Sequence, residues 1–220
     1  MKQSSISGIY KFKNKIYTEN PTSCKGLKIY DEQILKYKNK EYRSWNPYKS
    51  KLSAAIYKGL NKIIISENTN ILYLGAATGT TVSHLSDILK NGVIYAIEKS
   101  PFAVKKLLNL CEKRKNIIPI MADANNPEKY KTLVPQVDLI YQDISQRNQD
   151  EIFIKNIDYF LKFDCQAIIM VKARSIDVSL KPQQVYNNVM NKLKLNKIKI
   201  IQILDLSNYE KDHAAILISY

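Results

Sequence analysis

From residue 71 to residue 220, short apolar segments alternate with amphipathic ones, and this pattern restricts the chain to few folds. Apolar runs occupy residues 71–74, 92–97, 117–121, 137–141 and 166–171. Apolar residues at helical spacing lie at 80–89, 101–114, 149–161 and 181–193. This alternation predicts an α/β fold with a mostly parallel sheet covered on both faces. Two further strands, at 198–206 and 213–220, are close enough in sequence to pair antiparallel, which makes seven.

Residues 1–50 have a different pattern. Short alternating segments, several containing tyrosine, lie at 8–12, 15–17, 28–30, 35–37 and 41–42, and Lys-Asn turns separate some of them. Such alternation predicts a small antiparallel β sheet. We therefore divide the chain into an N-terminal β-hairpin domain, residues 1–50, and an α/β domain, residues 51–220. The second domain begins with a helix predicted over 51–65.

The charge favours a polyanionic partner. The chain has 34 Lys and Arg residues against 20 Asp and Glu residues, a formal net charge of +14. Nucleic acid is the usual partner of so basic a chain. Almost all of the positive charge is lysine, and the chain is also rich in Ile, Asn and Tyr. These four residues share A/T-rich codons, so genomic bias stays open as an alternative source of the excess.

The cysteines and the N-terminus exclude several classes of protein. Cys24, Cys111 and Cys165 are odd in number and far apart, which argues against a disulfide framework or a zinc site. Residues 1–12 contain no apolar segment of the kind a signal peptide has. No apolar run approaches the roughly 20 residues that a membrane span requires. We therefore expect a cytoplasmic protein.

Polar or glycine residues follow each of the first four predicted parallel strands. The first strand ends in the loop GAATGTT, residues 75–81, which includes Gly75, Ala76 and Ala77. The second ends at Glu98, the third at Asp123-Ala124 and the fourth at Asp143. Ligands of open parallel sheets bind at these carboxyl ends. A carboxylate after the second strand suits a ribose diol, and Asp123 suits the amino group of adenine.

The glycine spacing indicates which nucleoside is bound. Gly75 and Gly79 form G-x-x-x-G, which lacks the middle glycine of the dinucleotide-binding motif. The ligand should therefore be an adenosine derivative without a pyrophosphate. S-adenosylmethionine fits this description better than NAD, although an oxidoreductase stays open.

Four charged or titratable residues are candidates for catalysis. Lys172 ends a very apolar strand, where a lysine is unfavourable unless it is partnered or catalytic. Burial would favour its neutral amine, which could accept a proton from a ribose hydroxyl, with Asp143 positioning the amine or the hydroxyl. His213 begins the last strand, and Lys51 begins the helix leading into the α/β domain.

Several strings resemble fibrillarin, the family of ribose 2′-O-methyltransferases of C/D-type guide RNA particles. They are YRSWNPYKSKLSAAI, YLGAATGTTVSHLSDI, YAIEKSP, ADAN, DLIYQDISQ, MVKARSID and YEKDHAAI. The resemblance runs from about Gly8 to the C-terminus. The chain starts without the Gly/Arg-rich extension of eukaryotic members and so looks like the archaeal form.

The resemblance implies a Rossmann-like S-adenosylmethionine-dependent methyltransferase fold with a seven-stranded sheet, preceded by the small β domain. It also implies a catalytic tetrad of Lys51, Asp143, Lys172 and His213. Together with the glycine loop, the expected cofactor contacts are Gly75, Ala76, Ala77, Thr80, Thr81, Glu98, Lys99, Asp123, Ala124, Asp143, Ile144, Ser145 and Gln146. Lys99 departs from the aromatic or apolar residue usual at its position, although its alkyl stem could still pack on adenine.

The resemblance implies that the activity belongs to an assembly. The expected partners are a Nop-domain scaffold protein, a kink-turn-binding ribosomal-type protein, a C/D box guide RNA and the target RNA. Pre-rRNA is the expected substrate, with tRNA as a further class. Two alternatives stay open: another S-adenosylmethionine-dependent methyltransferase, or a non-catalytic RNA-binding subunit. No NPPY-type string follows the fourth strand, which weakens the amino-methylating version of the first alternative.

Overall fold

A computed structural model describes all residues from 1 to 220, and its first 44 residues form a five-stranded antiparallel sheet. The strand order is β1-β2-β3-β5-β4. The strands are β1 (Lys2–Gln3), β2 (Ile9–Phe12), β3 (Lys15–Asn20), β4 (Ile34–Tyr37) and β5 (Lys40–Ser44). Two Lys-Asn turns, 13–14 and 38–39, adopt positive φ at both residues and join β2 to β3 and β4 to β5. This is the two-residue hairpin geometry that matches strand twist.

A seven-stranded sheet follows in the order β11-β12-β10-β9-β6-β7-β8. Its strands are β6 (Ile71–Leu74), β7 (Ile94–Glu98), β8 (Ile117–Met121), β9 (Val137–Gln142), β10 (Leu161–Lys172), β11 (Lys199–Asp205) and β12 (His213–Ser219). Strands β6 to β10 are mutually parallel, and β12 runs antiparallel to both β10 and β11. The predicted Rossmann-like fold class, with its preceding antiparallel sheet, is confirmed.

Six helices accompany the sheet. They are α1 (Lys51–Tyr57), α2 (Thr80–Ile88), α3 (Pro101–Lys113), α4 (Gln149–Phe160), α5 (Ala173–Ile176) and α6 (Pro182–Leu195). Apolar side chains of α1, α2 and α3 share one core with the N-terminal sheet. Those of α4 and α6 belong to a second core. The parallel sheet is therefore covered on both faces, as continuous apolar strands require. No helix combines the length and apolarity needed to cross a bilayer.

The structure corrects the predicted helix at 51–65, the predicted strand at 28–30 and the start of β10. The helix predicted over 51–65 ends at Tyr57, because Gly59 follows in the left-handed region with φ +95°. Residues 28–30 do not form a strand; the Tyr30 hydroxyl there donates to the Ser44 carbonyl at 3.0 Å. Strand β10 starts at Leu161, five residues earlier than predicted, so it follows α4 without a loop.

A buried charged cluster joins the N-terminal sheet to α2. Arg43 of β5 lies 2.8 Å from both Glu32 and Asp87, and all three side chains have no exposed surface. Arg114 is also paired with Asp87. The predicted domain boundary at residues 50 and 51 falls at Ser50, which caps α1 by accepting from the Ser53 amide. Because one core continues from the N-terminal sheet into the larger one, the division into domains 1–50 and 51–220 stays a prediction.

Candidate active site

The predicted site residues follow from strand ends that are neighbours in the sheet. Strand β6 lies centrally, with β7 on one side and β9 on the other. Its last residue, Leu74, pairs with Ile97 of β7 and with Gln142 of β9. The glycine loop, Glu98 and Asp143 therefore begin at one edge of the sheet. This is where ligands of open α/β sheets bind.

The glycine loop requires glycine at residue 75. Gly75 has φ +84°, and a Cβ there would lie 2.3 Å from the Asp143 carbonyl oxygen. Gly79 has φ +92° and caps α2, and a Cβ there would lie 2.5 Å from Leu110. The close approach at Gly75 thus brings the glycine loop against the segment after β9.

A cleft of about 270 Å³ lies between this loop and the ends of β7, β8 and β9. Its lining residues are Gly75, Ala77, Ile97, Glu98, Lys99, Ala122, Ala124, Asp143, Ile144, Ser145 and Gln146. All but Ile97 and Ala122 are among the residues expected from the sequence. Both exceptions lie beside a predicted acid, so adjacency to Glu98 and Asp123 was the available signal.

Four of the expected cofactor residues do not line the cleft. Ala76 and Thr81 are buried, and the Thr81 hydroxyl lies 2.8 Å from that of Ser50. Thr80 begins α2. Asp123 lies next to the cleft, where it contacts two residues that line it, Gln146 at 3.2 Å and Lys99 at 4.0 Å. Thr81 therefore links the loop to the α1 terminus in this structure.

Backbone amides hold the two acids beside the cleft. Glu98 accepts from the amides of Ala77 and Ser100, each at 2.8 Å. Asp123 accepts from the Asn125 amide at 2.9 Å. This backbone hydrogen bond is the main reason why the pKa of Asp123 lies below its usual range, and the Gln146 side chain and Lys99 lower that pKa further. Asp123 is therefore an anion at neutral pH.

The cleft suits a nucleoside that carries a positive charge. Its walls include two carboxylates, Glu98 and Asp143, with Asp123 beside them and only one lysine, Lys99. Such a balance repels a pyrophosphate and attracts a sulfonium. Apolar side chains such as Ile97 and Ile144 provide surface for a planar ring. The residues present therefore fit S-adenosylmethionine, as the sequence predicted.

Asp143 pairs with Lys51. The Lys51 Nζ lies 2.8 Å from Asp143 Oδ1 and 3.0 Å from Oδ2, and each side chain is about one-fifth exposed. The sequence left open whether Asp143 positions the Lys172 amine or the reacting hydroxyl. Asp143 forms no hydrogen bond or ion pair with Lys172, so the structure does not support the first alternative. The pairing arises because α1 starts at Lys51, beside the end of β9.

Lys172 and His213 are direct partners in the antiparallel ladder of β10 and β12. Lys172 is half-buried, and no carboxylate lies within 4.0 Å of its Nζ. It is thus less enclosed than its apolar strand predicts, because it occupies the last position of that strand.

His213 has a defined tautomer. Its Nδ1 lies 2.7 Å from the Lys211 carbonyl oxygen, which only accepts hydrogen bonds, so Nδ1 carries the proton. Burial lowers the pKa of His213, and the charge of Lys51 lowers it further. His213 is therefore neutral at pH 7, with Nε2 able to accept a proton.

Sequence reasoning missed Gln149, a fully buried residue at the start of α4. Its Oε1 accepts from the Lys172 amide at 3.0 Å, while its Nε2 donates to the carbonyls of Gln146 at 3.1 Å and Lys172 at 3.4 Å. The side-chain amide of Gln149 thus connects the loop after β9, which lines the cofactor cleft, to the end of β10. Only the contrast between a polar residue and an apolar helix face could have indicated it.

Comparisons with known proteins agree over most of the chain. The family model described as Fibrillarin matches residues 1–220. A Methanocaldococcus jannaschii protein named fibrillarin-like rRNA/tRNA 2′-O-methyltransferase is 49% identical over 189 residues, covering 86% of this chain and 82% of the relative.

Two solved structures superpose closely. Aeropyrum pernix fibrillarin with natively bound S-adenosyl-L-methionine has a TM-score of 0.89 at 38% identity, covering 99% of this chain and 96% of the other. A fibrillarin/Nop5p complex has a TM-score of 0.90 at 41% identity, covering 100% and 99%. These matches extend over both sheets and include the loops that form the site. The chain belongs to the fibrillarin family.

Proposed function

We propose that this chain transfers a methyl group from S-adenosylmethionine to ribose 2′-hydroxyls of RNA, as the catalytic subunit of a C/D box guide ribonucleoprotein. The observation that carries the proposal is the Lys51–Asp143 pair at the cofactor cleft, since it joins an expected catalytic lysine to a strand-end acid at 2.8 Å. The names of the relatives, rRNA/tRNA 2′-O-methyltransferases, support the substrate class. The cytoplasmic location expected from the sequence belongs to the same proposal.

Cofactor binding is assigned to the cleft. Bound S-adenosylmethionine would supply an electrophilic methyl group on sulfur. Glu98 would accept hydrogen bonds from the ribose diol, and Asp123 from the adenine amino group. Asp143 contributes negative charge near the sulfonium. The alkyl stem of Lys99 lines the cleft in place of the family's usual aromatic or apolar side chain.

Lys51 and Lys172 take different roles at the reacting hydroxyl. Asp143 fixes the Lys51 ammonium, which would stabilise negative charge on the ribose oxygen as its proton leaves. Lys172 is our candidate base, because no carboxylate lies within 4.0 Å of its Nζ and Gln149 fixes its backbone. His213, its partner in the ladder, provides a second acceptor at Nε2. Positioning of the hydroxyl supplies much of the remaining acceleration.

Membership of the fibrillarin family is the basis for the protein and RNA partners that we propose. The fibrillarin/Nop5p complex supports a Nop-domain scaffold protein. A kink-turn-binding ribosomal-type protein, a guide RNA and the target RNA complete the proposed particle. Base pairing to the guide would select the nucleotide, so the enzyme needs mainly backbone contacts. An excess of lysine over arginine suits that task, because lysine binds phosphate as a point charge on a flexible side chain.

Reconstitution tests this proposal. The chain is combined with the scaffold protein, the kink-turn-binding protein, a guide RNA and a complementary target, and transfer of labelled methyl from the cofactor is measured. We expect labelling at one guide-specified nucleotide, and loss of labelling when the guide is replaced by an unrelated one. Equal labelling with the unrelated guide would contradict the guide-dependent role. Labelling of DNA or protein instead of RNA would support a different methyltransferase.

A further inference from the structure

A second cavity, outside the cofactor cleft, lies between the N-terminal sheet and the turn that joins β11 to β12. Its volume is about 480 Å³, and it shares no lining residue with the cleft. Its walls are unusually aromatic. The aromatic residues that line it are Tyr30, Trp45, Tyr48, Tyr57 and Tyr209. We call it the aromatic cavity.

The aromatic cavity lies between the segments that lead to two of the proposed catalytic residues. Tyr48 precedes Lys51 by three residues, and Tyr209 precedes His213 by four. The two tyrosine rings meet edge to face, with centroids 5.3 Å apart and an interplanar angle of 68°. The cavity thus lies outside the cofactor cleft, and short segments of chain connect it to Lys51 and His213.

Trp45 lines the aromatic cavity from within the core. It is 1% exposed, and its ring stacks on that of His84 at a centroid distance of 4.8 Å. Its Nε1 has no hydrogen-bond partner, although buried indole N–H groups normally have one. Because this nitrogen is itself buried, the surface offered to a ligand is that of the tyrosines, and Tyr48 is 63% exposed.

The charges around the aromatic cavity do not form a phosphate site. Lys15 donates to Gln33 at 3.1 Å, and Asp31 is an exposed anion at the same cavity. Glu32 is buried and its oxygens accept from Arg43 and from the amides of Ile29 and Tyr30. With one lysine offset by acids and five aromatic residues in its walls, the cavity favours a flat, uncharged ring.

We propose that the aromatic cavity binds an unstacked nucleobase of the substrate RNA. The base would stack on the ring of Tyr48 or Tyr209. Stacking on aromatic side chains is the usual way in which proteins hold single-stranded bases. This inference rests on the proposed function, since it takes RNA as the substrate. It adds a contact that positions the target strand and does not depend on base pairing to the guide.

The experiment uses Trp45, the only tryptophan of the chain, as its reporter. Tryptophan fluorescence of the full chain is followed during titration with a short oligouridylate and with an abasic oligomer of equal phosphate number. We expect quenching by the base-bearing oligomer and little by the abasic one. Equal responses to the two oligomers, or no response to either, would overturn the proposal. Quenching by a peptide of the scaffold protein without any response to RNA would also overturn it.

Matched tyrosine variants locate the effect. Tyr48→Ala should weaken oligouridylate binding about tenfold, whereas Tyr48→Phe should keep most of the affinity. Tyr37→Ala is the control, because Tyr37 is exposed on β4 and lies outside the aromatic cavity. Equal losses in Tyr48→Ala and Tyr37→Ala would contradict the assignment. Because no methyl transfer is measured, this result is independent of whether the proposed reaction occurs.

Discussion

Lys172 is the residue whose removal bears most directly on the proposed chemistry. Lys172→Ala should lower single-turnover methyl transfer by about 10²-fold or more, since it deletes the candidate base. Cofactor affinity should stay the same, because Lys172 does not line the cleft. Calorimetric binding of S-adenosylmethionine and transfer of its labelled methyl measure the two quantities. Lys194→Ala, an exposed lysine on α6, is the control. Near-normal turnover of the Lys172 variant would exclude the assignment.

The two histidines make stability depend on pH. Burial lowers the pKa of both His84 and His213, so the unfolded chain binds more protons than the folded one below about pH 6.5. The free energy of unfolding should therefore fall with acidification, by up to about 1.4 kcal/mol per pH unit for each histidine. Urea unfolding at several pH values measures the slope. His84→Gln should reduce it, and an unchanged slope in that variant would refute the assignment to His84.

Individual site residues were predictable from sequence where a strand end marked them. Glu98 and Asp143 stand at such ends, and both line the cleft. The ion pair of Asp143 with Lys51 was not predictable, since it depends on how α1 packs against β9. Gln149 was missed for a related reason. Gln149 makes hydrogen bonds to the backbone of other elements, and such contacts produce no recognisable spacing of residues in the sequence.

The observed strands agree with the predicted ones where an apolar run with a single periodicity extends over the whole segment. Strands β6 and β8 have the predicted bounds at 71–74 and 117–121. The prediction over 51–65 was wrong beyond Tyr57. Leu60, Ile63 and Ile65 are buried there without forming a helix. Their spacing in the sequence therefore resembled the apolar face of a helix. A short apolar run does not by itself distinguish a helix from an extended segment packed on the core.

The loop between β6 and α2 provides a test at the scale of an element. Gly75→Ala should weaken cofactor binding strongly, because the new Cβ would displace the Asp143 backbone that lines the cleft. Gly26→Ala is a matched control. Gly26 also has positive φ, +75°, but a Cβ there meets nothing within 4 Å. Both variants bear the backbone strain of about 1–2 kcal/mol, and only the first should lose cofactor affinity. Equal affinities measured by calorimetry would contradict the packing argument.

At the scale of the whole molecule, the buried cluster of Arg43, Glu32 and Asp87 joins the N-terminal sheet to α2 of the α/β domain. Arg43→Met should lower the free energy of unfolding by about 3–5 kcal/mol, since it leaves Glu32 buried without its partner. Lys40→Met removes a lysine whose pair with Glu19 is half exposed, and should cost less than about 1 kcal/mol. Denaturant unfolding of both variants gives the comparison. A similar small loss in each would show that the cluster does not hold the N-terminal sheet to α2.

The positions of the charged side chains in the fold show which of them can account for the net charge of +14. Arg43 and Arg114 belong to the buried cluster, so two of the four arginines are structural. The cofactor cleft is lined by more carboxylates than lysines and does not explain the excess. Lys40, Lys162 and Lys192 are paired with acids. Our proposal assigns RNA phosphates to lysines outside such pairs, and genomic bias stays open as a second source of the excess. Composition alone could not separate these groups, because burial and pairing are properties of the fold.

The most direct measurement compares two target RNAs that differ in one oxygen. The reconstituted particle is given labelled S-adenosylmethionine and a target with either a ribose or a 2′-deoxyribose at the guide-specified nucleotide. The proposed reaction predicts label on the ribose target and none on the deoxy target, because the accepting oxygen is missing. Equal labelling of both targets would show that the methyl group goes to a base or another position, and would contradict ribose 2′-O-methylation.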